Sequence, residues 1–209
     1  MMMKKFLTIL CALALSAAAF AQTAEEIVAR MDAQMNEIET DGFSMTMEIK
    51  IPILGSMSTR AYTKGDNLRM EAEVMGEKVI TWQSADTEWT YTPAKNTIEI
   101  ENHTSEKKSD EQENMQMFHD TTEGYDLSIK KETADAWYIL CKKNKSNKDK
   151  DAPKTMDLVV AKGSYYPMSL SAKVKGITVT MRDLGFDVTD ADVTFDPSQY
   201  PGVEIVDKR

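Results

Sequence analysis

Few side chains in this 209-residue chain have the type and spacing that chemistry needs. His103 and His119 stand in neither an HxxxH nor an HExxH spacing, the arrangements that set two imidazoles on one helix face around a metal. No GxSxG elbow, phosphate loop, dinucleotide fingerprint or CxxC pair occurs. Asp190 and Asp192 make a carboxylate pair, but acid–base work needs a shielded site that drives the two pKa values apart. Theirs is a polar, turn-like stretch, and solvation explains it better. Asn102-His103-Thr104 fits a glycosylation acceptor, a pattern short enough to arise by chance. The lysine-rich run Lys142 to Lys154 has the charge to meet a phosphate, yet a solvated hairpin loop is the plainer reading. On these residues neither an enzymatic activity nor a metal, nucleotide or other cofactor is expected.

Methionine is what stands out. Twelve of the fifteen follow the N-terminal export segment. An unbranched, polarizable thioether suits irregular partners and is common on promiscuous binding surfaces, although it also fills gaps in ordinary cores. Which role applies depends on the elements that carry these residues.

The first twenty-one residues read as a secretory signal. Lys4 and Lys5 precede the apolar run Phe6 to Ala19, and Ala19-Phe20-Ala21 is a small-x-small cleavage site before Gln22. The run is too short to span a bilayer. Cys11 follows bulky Leu10 in mid-run, which is the wrong place for a lipoprotein signal. A single domain of residues 22–209 is expected to remain, soluble and periplasmic, long enough for a sizeable core. Losing Lys4 and Lys5 takes the formal charge from −9 to −11. Such an acidic surface disfavours binding nucleic acid or anionic lipid headgroups through charge, though not binding acyl chains. Cys141 is then the lone thiol, so packing rather than a disulfide must stabilise the fold; it reads as a small core residue.

A helix is predicted from Thr23 to Asp41. Thr23 and Glu26 form a capping box, Ile27, Met31, Met35 and Ile38 make one apolar stripe, and Gly42 is its stop. From Phe43 the period becomes two, with Phe43, Met45, Met47, Ile49 and Ile51 alternating with polar residues. Further strands follow at Met57–Lys64, at Leu68–Val74, and three times within "VITWQSADTEWTYTPAKNTIEIEN". Others are expected at Leu127–Lys131, Trp137–Lys142, Met156–Ala161, Met168–Val174 and Ile177–Phe186. The apolar phase slips between Met181 and Leu184, which predicts a bulge. Ten or eleven strands in an antiparallel meander result. The stretch His103 to Gly124 interrupts them, and Met115, Met117 and Phe118 would give it a short helix with an apolar edge.

One helix and one short lid are little cover for about ten strands, so counting points to a concave apolar cavity. The same residues resemble the periplasmic carriers of outer-membrane lipoproteins, the LolA family. Trp89, Tyr91 and Pro93 stand where the family has Trp-x-Tyr-x-Pro. Phe195, Pro197, Gly202, Val203, Asp207 and Arg209 match its closing segment, and the helix and "AYTKGDNLRME" fall in the expected order. The resemblance implies an unclosed, strongly curved antiparallel β-barrel lidded by helices, an α+β chain that is mainly β. It implies a periplasmic carrier that holds acyl chains of lipoproteins or lipids and ferries them toward the outer membrane. Its partners would be lipidated proteins, an inner-membrane release complex and an outer-membrane acceptor, with the carrier a monomer. A lipid-sensing regulatory module of the same fold is the alternative, and a structural β-domain or unrecognised hydrolase a third. Where the family has Lys-Arg-Pro, with an arginine that ties the lid, this chain has Lys64-Gly65-Asp66.

The residues expected to contact acyl chains are Met31 and Met35 on the helix, then Met45, Met47, Leu68, Met70, Trp82, Trp89, Tyr91, Ile98 and Ile100 on the strands. Met115, Met117 and Phe118 would close the mouth from Glu111 to Phe118. Placing the strand residues on one wall assumes that every turn keeps the register, because a one-residue slip turns a strand's whole apolar set to the other face. N-terminal sequencing of the exported protein is expected to begin at Gln22; a chain starting at Met1 would refute the signal.

Overall fold

The computed structural model describes residues 22–38, 42–74, 76–103 and 121–209. Helix α1 (Ala24–Asn36) opens with the capping box that the sequence predicts. The Glu26 amide donates to Thr23 Oγ1 at 3.2 Å, and the Thr23 amide donates to Glu26 Oε2 at 3.2 Å. The helix ends earlier than predicted, with Glu37 as its C-cap and no basic residue in the last turn. An acidic side chain at the negative end of the helix dipole opposes continuation. Gly42 begins the first strand instead of stopping the helix. A Cβ there would lie 3.1 Å from the Val188 carbonyl oxygen, so close backbone approach is its role.

The strands are β1 (Gly42–Ile51), β2 (Gly55–Lys64), β3 (Asn67–Val74), β4 (Glu77–Gln83), β5 (Thr87–Thr92) and β6 (Thr97–Asn102). After residues 103–124 come β7 (Tyr125–Glu132), β8 (Ala136–Lys143), β9 (Thr155–Ala161), β10 (Pro167–Val174) and β11 (Ile177–Gly185). A four-residue helix, α2 (Asp190–Val193), and β12 (Glu204–Asp207) complete the chain. All twelve strands share one sheet, in the order β12-β6-β5-β4-β3-β2-β1-β11-β10-β9-β8-β7. The sheet is curved and unclosed, since β12 and β7 are its two edges.

Eleven strands form antiparallel ladders, as expected. The twelfth was not foreseen: β12 pairs parallel with β6, Glu204 against Thr97 through Asp207 against Ile100. The predicted bulge is present. Ser44 pairs with Gly185 but Thr46 with Arg182, so β11 carries one residue more than β1. Asp183 takes φ 57° there, and Arg60 secures the distortion by donating to the Asp183 carbonyl at 2.6 Å.

Helix α1 packs Ala24, Ile27, Val28 and Met31 onto Trp137, Ile139, Cys141, Met156, Leu158, Val160 and Leu170 of strands β8 to β10. Its start is anchored by Tyr165, in the β9–β10 connection. The Tyr165 hydroxyl accepts from Gln22 Nε2, just before the helix, at 3.0 Å and from Arg30 Nη1, in its middle, at 2.8 Å. The Tyr165 ring stacks on Trp137 at 5.3 Å between centroids. Truncating Leu158, 2% exposed beneath the helix, to alanine is expected to cost about 2–5 kcal/mol. Chemical denaturation checks this; a loss under about 1 kcal/mol would mean that the helix does not seal this core.

Candidate functional site

Directly opposed residues of an antiparallel ladder place their side chains on the same face. Pairing therefore carries a face from strand to strand. From Met45 the row runs through Ala61, Met70, Thr81 and Thr90 to Glu99. From Ser44 it runs through Tyr62, Arg69, Trp82 and Trp89 to Ile100. No bulge interrupts these ladders. The methionine set and the tryptophan set therefore lie on opposite faces of the sheet, which corrects the expectation of a single wall.

The turn between β3 and β4 decides this. Val74 pairs with Glu77 across a two-residue connection, which sets Arg69 against Trp82. One residue more would have put Met70 opposite Trp82 and joined the two apolar sets.

The methionine face is the one that α1 covers. Met47 pairs with Met181, and that row continues through Leu170 and Leu158 to Ile139 beneath the helix. Met31 is 1% exposed and belongs to the sealed core, whereas Met35 and Met181 pack at its margin, half-buried. Met45 is buried, while Met47, Leu68 and Met70 are half-buried. The pairing thus brings Met31, Met35, Met45, Met47, Leu68 and Met70 to one side. Met181, half-buried between Met47 and the core, belongs with them, and its alternation in β11 was the signal that could have found it.

On the other face, Trp82, Trp89, Tyr91, Ile98 and Ile100 meet the C-terminal segment. The Phe195 ring stacks on Trp89 at 5.5 Å and meets Trp82 edge-on at 5.4 Å. Tyr200 meets Trp82 at 5.6 Å and Tyr91 at 4.8 Å. Ile98 is fully buried and Trp82 is 4% exposed. These side chains form a second core, closed by their own chain. Met115, Met117 and Phe118, with the whole of 111–118, lie outside the described residues.

Two arginines line that second face. Arg69 sits over the rings of Tyr62 at 5.3 Å and Trp82 at 5.7 Å, in ion-pair contact with Glu71. Arg60 donates to Ser44 Oγ at 2.7 Å and Thr46 Oγ1 at 3.2 Å. Arg60 reaches the bulge of β11 through the Asp183 carbonyl, and Arg69 reaches the Asp192 carbonyl in α2, beyond β11. Gly65 occupies a turn with φ 56°.

Among the described residues, no group of three or more His, Cys, Asp or Glu is placed to hold a metal. Asp192 closes the capping box of α2 on its N-cap Thr189, its carboxylate accepting from the Thr189 amide and hydroxyl, both at 2.7 Å. Those bonds hold its carboxyl below the usual range. Arg209, hydrogen-bonded to Asp207, holds that carboxyl lower still, at about 2. Both groups are committed to the chain's own termini and turns.

No protein-family model and no curated protein matches this chain. Solved structures do resemble it. Lipoprotein LppX of Mycobacterium tuberculosis is 12% identical, with 79% of this chain and 98% of that one covered at a TM-score of 0.49. A LolA superfamily protein of Nitrosomonas europaea is 12% identical, with 84% and 99% covered at 0.31. A putative outer-membrane lipoprotein-sorting domain of Vibrio parahaemolyticus is 13% identical, with 80% and 94% covered at 0.29. At these scores they carry no argument about activity. The open-sheet architecture rests on the strand order itself.

Cys141, fully buried beneath α1, has its thiol pKa pushed up to about 11 by burial and by the nearby Asp157 carboxylate. Below the unfolded thiol's pKa, near 9, both states keep the proton. Between pH 9 and 11 only the unfolded chain loses it, so stability falls as pH rises through this window, by about 2–3 kcal/mol. Denaturation midpoints of Cys141→Ala are expected to lack that part of the alkaline decline. An unchanged slope would refute it.

Proposed function

We propose that this chain binds acyl chains, of lipids or of lipidated proteins, against the methionine-bearing face beside α1. The observation that carries the reading is the set of half-buried Met47, Met70 and Met181 on the face of the sheet that the helix covers, with Met35 at the helix margin. Flexible thioethers on an open sheet follow a chain of varied shape better than branched side chains do. The second apolar set needs no ligand, because Phe195 and Tyr200 already fill it.

A carrier of this kind is held in balance by magnitudes. Each buried methylene contributes about 0.8 kcal/mol, so one long chain fully buried would be worth on the order of 10 kcal/mol. Several chains held that tightly would not leave. A partly open face holds them less completely, and release needs only a more apolar acceptor. Export directed by residues 1–21 would place the carrier in the periplasm, and transfer toward the outer membrane is its role in this proposal. No described helix is long and apolar enough to cross a membrane.

Displacement of a fluorescent fatty acid tests the reading. Met47→Lys or Met70→Lys is expected to weaken binding about tenfold or more, since burying an unpaired charge costs more than 1.4 kcal/mol. Phe195→Ala is expected to lower stability while the folded fraction keeps its affinity. If the lysine variants bound the probe normally and Phe195→Ala lost it, the ligand face would be the tryptophan side.

A further inference from the structure

At one end of the sheet, three neighbouring connections combine exposed apolar side chains with clustered lysines. The β1–β2 hairpin closes through Pro52-Ile53-Leu54, where Ile53 is 105% and Leu54 81% exposed. Ile53 holds φ 73°, a conformation that a β-branched residue adopts only under strain. The hairpin thus presents two large apolar side chains to solvent and gains no intramolecular packing from them. Ile177 starts β11 beside this hairpin, since Thr178 pairs with Lys50, and it too is exposed.

Lysines flank the tip. The β10–β11 hairpin carries Lys173 and Lys175, and an ion pair from Lys175 to Asp151 at 2.9 Å joins it to the β8–β9 loop. Residues 50–56, 142–154 and 172–178 together hold nine lysines against two aspartates, within a chain whose net charge is −9. Further acids at this end are Glu73 and Glu77 at the β3–β4 connection, Glu48 on β1, and Asp126 on β7, whose carboxylate accepts from Asn144 at 3.0 Å. A local excess of positive charge survives on a molecule otherwise strongly negative.

We propose that this end of the sheet docks on an anionic lipid bilayer, with Ile53 and Leu54 entering the headgroup–acyl boundary and the lysines of the two adjacent connections meeting the headgroups. Apolar anchors beside a cluster of lysines are the combination that interfacial binding needs, because neither burial nor charge alone holds a protein there stably. An acidic protein partner would account for the lysines but leave the strained apolar tip unexplained. A neutral apolar partner would do the reverse. Met57 and Ile177, on the methionine face, lie beside the tip, so docking would bring a bilayer to the edge of that face. The proposal does not depend on acyl binding.

Vesicle flotation of the processed chain tests it, with phosphatidylglycerol–phosphatidylethanolamine vesicles against phosphatidylcholine alone. Binding is expected to the anionic vesicles and to fall steeply with salt. The double variant Ile53→Ser/Leu54→Ser is expected to lower it about tenfold or more, and Lys145→Glu/Lys148→Glu/Lys150→Glu to abolish the preference for anionic lipid. Both sets are surface changes, and melting curves confirm that each variant folds. Equal binding to both vesicle types, no binding to either, or no effect of the double variant overturns the proposal. So does a wild-type dimer that the double variant dissolves, since the tip would then be an interface between copies. Fatty-acid displacement by the same variants separates the readings: docking lost with affinity intact supports it, and affinity lost in Met47→Lys with docking intact bears only on the ligand face.

Discussion

The pairing of Arg69 with Trp82 governs this molecule more than any single contact does. A strand ladder allows two faces and no intermediate, so one pair fixes the side on which every later residue of β4, β5 and β6 appears. Through it, the apolar residues of those strands stand opposite those of β1 and β3. A sheet with apolar surface on both sides cannot be covered from one side, and two separate covers are required.

The covers differ in kind. Helix α1 buries Ile27, Val28 and Met31 against β8 to β10, held at its start by Tyr165. The opposite face is closed by Phe195 and Tyr200, from an irregular segment with little helix. Aromatic rings suit that task, since two of them fill the space between Trp82, Trp89 and Tyr91 without a regular element behind them. Arg69 completes the attachment with a hydrogen bond to the Asp192 carbonyl, while Arg60 ties β2 to the bulge of β11. The Asn96 side chain adds another by donating to the Gly202 carbonyl at 3.1 Å. The C-terminal segment is thus part of the core, and the sheet's second face depends on it.

What remains partly open is the methionine face between the helix margin and β3. Half-buried thioethers there are neither sealed nor fully solvated. That distribution of burial, rather than any reactive group, is the basis for reading this protein as a binder of acyl chains.

Much of the architecture was legible in the chain. The capping box at Thr23 and Glu26, the eleven antiparallel strands and the bulge after Met181 all follow from local periodicity and local chemistry. Each is settled by neighbours a few residues away. The relation between strands is different in nature. Nothing in Leu68, Met70, Trp82 or Trp89 tells which face each shares, because alternation within a strand is the same in either register. The two residues joining Val74 to Glu77 decide it, through a parity that hydrophobic pattern cannot express. The parallel pairing of β12 with β6, and the seating of Phe195 between two tryptophans, join residues about a hundred positions apart. The sequence by itself determined which segments are strands and which side chains within them are apolar. Only the tertiary structure decided which of those side chains face one another, since that depends on turns and on distant pairing rather than on any strand alone.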